Sequence, residues 1–393
     1  MTKANTAITT TTITKDFYCN QKFWFLTVDF EKRLTYSCCA ARPEKIDLEW
    51  LSNNPGKLFN TPVAQQERQD MLNNIPVKSC NLTCWQPEAA GLASRRTIQN
   101  GGVRSHSNIT ASPTSLNFNL GSTCNLTCSY CSKQHSSSWR QDIDKNGPYN
   151  DHDEFKLTAL DQVLLKISHN EHKTTDRYQQ LLKEVENFDS VKDITISGGE
   201  PFLYNDLPDL VNRLQAEQID IFSGLGINPN RFKRQLEKIT NRKNLRVIVS
   251  AENIGLLYEF NRYGNTWENF LANIEILKEQ QIHFTFNSIM SNLTMFGAIE
   301  FLEYFQDYDI EYQLCGEPDF LTVNILDDSS KTDIVSKLKQ SQLKIKDQLV
   351  DSILNPYTDK QYENFKLFLP EFARRRNLNL DIFPTSMLQW LSK

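Results

Sequence analysis

Cys124, Cys128 and Cys131 stand in the run CNLTCSYC, spaced Cx3Cx2C. Three thiolates so close together can hold three corners of a cubic iron–sulfur cluster. A 4Fe-4S cube has four irons, so this set leaves one iron without a protein ligand, whereas clusters kept for electron transfer or structure are mostly held by four cysteines. An open coordination site implies chemistry at the metal. A zinc site would pair two cysteine arms or add histidines at ligand spacing, and no histidine falls between Cys124 and Cys131. His135 follows in a polar, Ser-rich stretch that reads as solvated.

A second motif lies downstream, Ile194-Thr195-Ile196-Ser197-Gly198-Gly199-Glu200-Pro201. Alone, Gly-Gly-Glu-Pro reads as a turn after a strand. With CNLTCSYC upstream, and Tyr130 just before the third cysteine, the pair resembles the cluster loop and the second-strand GGEP segment of the radical S-adenosylmethionine (radical SAM) superfamily. The resemblance implies a 4Fe-4S cluster on Cys124, Cys128 and Cys131, with the amino and carboxylate groups of S-adenosylmethionine (SAM) on the open iron. In that chemistry the reduced cluster cleaves SAM, and the 5′-deoxyadenosyl radical takes a hydrogen from a substrate. Gly198 and Gly199 would let backbone approach the SAM amino group, for which Glu200 is an acceptor, and Tyr130 belongs to the same binding face. After the fourth strand come Ser250, Glu252 and Arg262. A guanidinium meets a carboxylate with two parallel bonds, so Arg262 is the candidate for the SAM carboxylate. Ser250 and Glu252 are candidates for polar SAM contacts; a surface Arg–Glu pair and a strand-end serine is the plain alternative. Asn228 and Asn287 are further candidates. Cys315 reads as an extra ligand, a hydrogen donor or a small buried hydrophobe. Arg374-Arg375-Arg376 reads as a solvated helix end or a contact for an acidic substrate.

Five more cysteines precede this region: Cys19, Cys38, Cys39, Cys80 and Cys84. Cys80 and Cys84 stand in CNLTCW, an echo of CNLTCSYC without its third cysteine. Cys19 precedes the strand-like run Phe23–Val28; a charged turn, the run Leu34–Ser37 and Cys38-Cys39 follow. That pattern predicts a hairpin with cysteines at both ends. Four thiolates, from Cys19, one of Cys38 and Cys39, Cys80 and Cys84, would saturate a second cluster. Four sulfurs also suit a structural zinc. The layout resembles the twitch half of a SPASM-type auxiliary-cluster domain, set ahead of the barrel rather than after it. That resemblance implies an auxiliary 4Fe-4S cluster.

These residues need elements to hold them. Six β-rich runs, Ser115–Gly121, Asp193–Gly198, Ile219–Asn228, Leu245–Glu252, His283–Met290 and Ile310–Leu314, alternate with amphipathic stretches such as Leu160–Phe188, Leu207–Glu217, Arg231–Thr240, Thr266–Gln280 and Leu293–Phe305. The alternation predicts an α/β fold with a parallel sheet and outer helices. Both motifs then sit at the carboxyl ends of strands, where such folds place their sites. The resemblance sharpens the expectation to a partial (β/α)6 TIM-like barrel, preceded by a small cysteine-rich α+β domain and followed by C-terminal helices. The expected division is a disordered tail (1–15), an auxiliary-cluster domain (16–105), the barrel (106–350) and a helical extension (351–393). Ser132–Phe155 reads as a lid, and Thr332–Leu349 and Asp359–Arg376 as helices ahead of an apolar end, Ile382–Leu391.

Of the 393 residues 39% are hydrophobic, with 23 Phe, 13 Tyr and 6 Trp, enough for a large core. A net charge of -5 argues against nonspecific nucleic-acid binding. No apolar run is long enough to span a bilayer, and the Thr-rich start lacks the apolar core of a signal peptide. Nine cysteines then point to metal ligation in a reducing, cytoplasmic setting. The expected activity is oxidation or crosslinking of a peptide, protein or small molecule, with a flavodoxin- or ferredoxin-type reductant. SAM-dependent methyl transfer, perhaps to RNA, and a non-catalytic electron-transfer protein are the other two readings.

Overall fold

Among the described residues, eleven short strands and the helices between them build the fold. The computed structural model describes residues 16–38, 41–91, 94, 96–97, 104–149, 175–186, 188–343 and 345–393. The strands are β1 (Phe25–Asp29), β2 (Leu34–Tyr36), β3 (Glu44–Lys45), β4 (Ser115–Asn119), β5 (Thr127–Cys128), β6 (Asp193–Ser197), β7 (Gln218–Ser223), β8 (Leu245–Ser250), β9 (Arg262–Tyr263), β10 (His283–Met290) and β11 (Ile310–Leu314). Nine of them form one sheet in the order β11-β10-β8-β7-β6-β4-β1-β2-β3.

From β4 to β11 that sheet holds six parallel strands in chain order, which is the partial TIM-like barrel expected. Residues alternate in burial along β4, β6 and β7. Leu116 and Phe118, Ile194 and Ile196, and Ile219 and Ile221 are buried in the main core. Their polar neighbours Asn117, Thr195, Asp220 and Arg246 lie side by side across four strands, as the period-two geometry of a pleated strand requires. Arg246 closes this polar row with an ion pair to Asp220 at 2.7 Å. The helices Leu207–Arg213, Pro229–Lys238 and Trp267–Glu279 cover the apolar face and contribute Leu210, Phe232, Ile274 and Leu277 to the same core.

The hairpin predicted near the N-terminus is present, with Thr27 opposite Tyr36. Its first strand goes further and lies parallel to β4, Leu26 against Leu116 and Val28 against Phe118. The sheet therefore continues from the barrel into the cysteine-bearing hairpin. Leu26, Val28 and Phe30 alternate like barrel strand residues and join the main core.

Three local expectations change. Thr332–Leu349 is not one helix but two, Asp328–Gln340 and Lys346–Leu354. Ser341 ends the first, taking its C-cap position and donating its hydroxyl to Leu338 O. Asn228 is the N-cap of Pro229–Lys238, its Oδ1 accepting from the N–H groups of Asn230 and Arg231; capping satisfies helix-end donors that have no partner within the helix. The described part of the segment read as a lid is a packed helix, Ser137–Asn146, whose Trp139 and Ile143 join a second core with Phe368, Phe372 and Met387. The tail 1–15, Cys39 and residues 150–155 lie outside the described residues, as does most of Leu160–Phe188, of which the helix Thr175–Glu186 is described.

Candidate active site

The CNLTCSYC loop leaves β4 and is held from four sides. Gly198 and Gly199 follow β6 with positive φ, +99° and +54°. A Cβ on Gly199 would stand 2.2 Å from Thr123 O, and one on Gly198 2.1 Å from Asn119 Oδ1. Only glycine fits that approach. The next amide, Glu200 N–H, donates to Thr123 O at 2.8 Å. The two motifs, far apart in the chain, are thus in backbone contact beside Cys124.

The Ser-rich stretch supplies the second side. Ser137 and Ser138 hydroxyls both donate to Cys124 O, at 2.9 and 2.8 Å. The Cys124 N–H donates to Ser137 Oγ at 3.0 Å. Ser136 Oγ donates to Leu126 O and Trp139 Nε1 to Cys128 O. His135 is exposed, as expected, while the serines and Trp139 after it, part of the segment expected as a lid, satisfy the loop's backbone groups. The signal for the helix was present in Ser136, an N-cap residue type that accepts from Trp139 N–H.

From the third side, β9 pairs antiparallel with β5, Arg262 opposite Cys128. Arg262, only 3% exposed, spends its Nε on Glu252 Oε2 (2.9 Å) and its Nη2 on Glu252 Oε1 and the Tyr130 hydroxyl (both 2.5 Å). The Tyr130 hydroxyl also lies 2.7 Å from Glu252 Oε1. Arg262 Nη1 lies 3.8 Å from Cys128 Sγ. Burial alone would lower the Arg262 pKa, but the Glu252 carboxylate beside it holds it well above the ordinary value. So the fork expected to face a SAM carboxylate is turned onto Glu252, a buried pair beneath the cysteine loop rather than a surface one.

The fourth side was not anticipated. Arg376, at the end of the helix Asp359–Arg376, is buried and donates through Nε to Thr127 Oγ1 at 2.8 Å. Its Nη1 reaches the Tyr149 hydroxyl and its Nη2 Asp142. Arg374 alone of the three arginines is the solvated residue expected, paired only with Glu371. Nothing in the local sequence separates Arg376 from its neighbours.

Glu200 is 1% exposed. Burial pushes its pKa up to about 7, against the pull of hydrogen bonds from Ser223, Phe202 N–H and Gly224 N–H. The Ser223 hydroxyl donates at 2.8 Å and the Gly224 amide at 3.0 Å. Ser250 pairs in register with Asn287, whose buried Oδ1 has no partner. Cys315 packs in the second core with Phe320, Phe365 and Leu369, and its thiol contacts Glu317 O at 3.4 Å.

The thiols fit a shared metal group by their chemistry. Burial pushes the Cys124 thiol up to about 12, and the neighbouring Cys128 adds to that; Cys131 is raised by burial and then by both other cysteines. Three sulfurs this close repel one another as thiolates unless a cation neutralises them. No three His, Cys, Asp or Glu side chains among the described residues converge on the position of one metal ion. A cube puts each cysteine on a different iron, so convergence on a point is not its requirement.

A second group of sulfurs sits at the base of the N-terminal hairpin. Cys19, Cys38, Cys80 and Cys84 line one small cavity together with Lys22 and Arg96. Cys80 caps the start of a single wide turn, Asn81–Trp85, and Cys84 lies within it. The backbone ties the hairpin end to it: Ala41 N–H donates to Cys38 O, and Arg42 N–H to Ser79 O at 2.8 Å. Burial pushes the Cys80 thiol up to about 12, opposed by Lys22.

Residues 118–305 match the family model of the Radical SAM superfamily. The match supports radical SAM superfamily membership. The span contains Cys124, Cys128, Cys131, Gly198, Gly199, Glu200, Ser250, Glu252 and Arg262, while the five N-terminal cysteines fall outside it. Among solved structures the chain is similar to native anSMEcpe with bound AdoMet, at 16% identity over 58% of this chain and 60% of that one, TM-score 0.39. It is also similar to TYW1 with a lysine-pyruvate adduct bound (15%, 56% and 71%, TM-score 0.28) and to Streptococcus suis SuiB bound to precursor peptide SuiA (12%, 92% and 71%, TM-score 0.35). The similarity thus spans 60% of the length of the first of these chains. A comparison with the curated proteins finds no match. Among the described residues no helix is long and apolar enough to cross a membrane.

Proposed function

We propose that the chain is a radical SAM oxidoreductase acting on a peptide, a protein or a small molecule, with a second cluster in its N-terminal hairpin region. Cys124, Cys128 and Cys131 would hold a three-thiolate 4Fe-4S cluster. Bound there and reduced, such a cluster would supply the one-electron reduction of SAM that hydrogen abstraction needs. The observation that carries this reading is the contact between the two motifs: the Glu200 amide on Thr123 O, with Gly199 packed where no side chain fits. That contact brings the buried Glu200 carboxyl, held by Ser223 and the Gly224 amide, close to Cys124 and Cys128, which supports Glu200 as an acceptor for a SAM amino group. The protein's part is to orient the bound groups and exclude water. Ser136, Ser137, Ser138 and Trp139 hold the loop's backbone, Arg262 and Glu252 brace it from below, and Arg376 pins Thr127.

Cys19, Cys38, Cys80 and Cys84 would hold the auxiliary cluster. Four protein ligands leave no open iron, which suits electron acceptance rather than substrate binding. Cys38 lines the same cavity as the other three, while Cys39, the other candidate for the hairpin ligand, lies outside the described residues.

The test is anaerobic reconstitution with iron and sulfide, then reduction in the presence of SAM. About eight irons per chain, two cubes' worth, and 5′-deoxyadenosine as the product are expected. S-adenosylhomocysteine as the product would replace this reading with methyl transfer. Bound iron with no SAM cleavage in the presence of peptide and small-molecule panels would return it to electron transfer.

A further inference from the structure

Lys22 is an unusual residue to bury. Its side chain is 5% exposed and lies against Glu67, at the wall of the four-cysteine cavity. Its ammonium also donates to Ser79 Oγ at 2.9 Å. Ser79 Oγ in turn stands 3.9 Å from Cys80 Sγ. An ammonium can only donate. Ser79 Oγ therefore accepts from Lys22, and its own hydrogen is left to point elsewhere, with the Cys80 sulfur within reach. The Ser79 backbone is fixed independently, its carbonyl taking the Arg42 N–H. Neither residue is needed to ligate metal, and nothing in the barrel site uses them.

We propose that Lys22 and Ser79 form a polarised relay onto Cys80: the buried ammonium orients the Ser79 hydroxyl as a hydrogen-bond donor to the sulfur and so raises the reduction potential of the group the four cysteines hold. This rests on the reading of those cysteines as a cluster site. Hydrogen bonds to cluster sulfurs and nearby positive charge favour the more negative, reduced state. Glu67 offsets part of the ammonium's charge, so the hydroxyl bond, being directed at the sulfur, carries the effect. Lys22 and Ser79 are positioning residues acting through Cys80.

The experiment is a redox titration of the reconstituted full chain followed by electron paramagnetic resonance. The barrel cluster is recognised as the signal that changes when SAM is added, and the N-terminal one as the signal that does not. Ser79→Ala keeps the Lys22–Glu67 pair, so it is the variant expected to fold normally. It should shift the midpoint of the SAM-insensitive signal to lower potential and leave the other signal in place. Ser79→Thr, which keeps the hydroxyl, should restore it. A midpoint unchanged in Ser79→Ala, with the cluster loaded, overturns the relay alone. A wild-type protein that shows only the SAM-sensitive signal overturns the N-terminal cluster, and the relay with it. A drop in thermal stability with no shift in potential assigns Ser79 a structural role only and also overturns the relay.

Discussion

The two cysteine groups differ in how they are assembled. Cys124, Cys128 and Cys131 come from one loop, and the fold contributes the surroundings: the glycine turn, the serine-capped helix, Arg262 and Arg376. Cys19, Cys38, Cys80 and Cys84 come from three segments, and the fold contributes the site itself. The first is a motif that recruits a scaffold; the second exists only when β1, β2 and the turn Asn81–Trp85 have come together. Their neighbours differ too. The barrel loop rests on the buried Arg262–Glu252 pair, whereas the hairpin cavity is lined by Cys19, Cys38, Cys80 and Cys84 and flanked by Lys22 and Arg96.

That contrast is broken most directly by changing one group at a time. Replacing Cys124, Cys128 and Cys131 together by alanine should abolish SAM cleavage and remove about four irons, leaving the SAM-insensitive signal intact; an iron count and a 5′-deoxyadenosine assay read both. Loss of all iron would mean that the hairpin cysteines hold no cluster of their own. The converse double change, Cys80→Ala with Cys84→Ala, should also remove about four irons, yet leave reductive cleavage of SAM measurable. If cleavage disappears as well, the two sites are not separable as described.

Smaller changes sharpen the account of the barrel loop. Gly199→Ala forces a side chain into a left-handed conformation and against Thr123 O. It should cost about 1–3 kcal/mol from strain alone, seen by denaturant unfolding, with reduced loading of the SAM-sensitive cluster. An unchanged protein would show that the two motifs do not need their backbone contact. The smallest effect expected is on the pH profile of the metal-free protein. Glu200 is raised by burial to about 7 from an ordinary 4.5, so the folded state holds its proton more tightly than the unfolded chain. Its contribution to stability is fully present below the ordinary value and is lost as pH rises through about 7, at about 1.4 kcal/mol for each pK unit of difference. Glu200→Gln should flatten that fall between pH 5 and 8 in unfolding measurements; a parallel profile would place the carboxyl's titration elsewhere.

The six barrel strands were legible because each is a short Ile-, Val- or Phe-rich run between turn residues, and the structure keeps β10 and β11 at the residues expected. The helix Asp359–Arg376 is likewise found where its pattern put it. Where expectation and structure part, the missing information was tertiary. The stretch from Ser132 read as a lid because it is polar and follows the cluster loop, but its serine hydroxyls meet the carbonyl of Cys124 and pack it in place. Arg376 could not be told from Arg374, since helix geometry sends adjacent side chains about 100° apart and only packing decides which one faces the core. The Arg262–Glu252 pair was foreseen as a surface pair; that it is buried against Tyr130 and Cys128 was not.

The chain by itself determined the chemistry-bearing loop, the glycine turn after the second barrel strand and the alternation of strands with helices, because these depend on local spacing and on hydrophobic period; that alternation fits a doubly wound sheet as well, and the order of the strands was decided by their pairing. Only the tertiary structure decided that β1 extends the barrel sheet, that Cys38 faces the same cavity as Cys19, Cys80 and Cys84, and that Lys22, Arg262 and Arg376 are buried beside sulfurs or their loops. Those are pairings between distant segments. A charged side chain is buried only where another part of the chain meets its hydrogen-bonding demand, and that demand leaves no trace in its own neighbourhood of sequence.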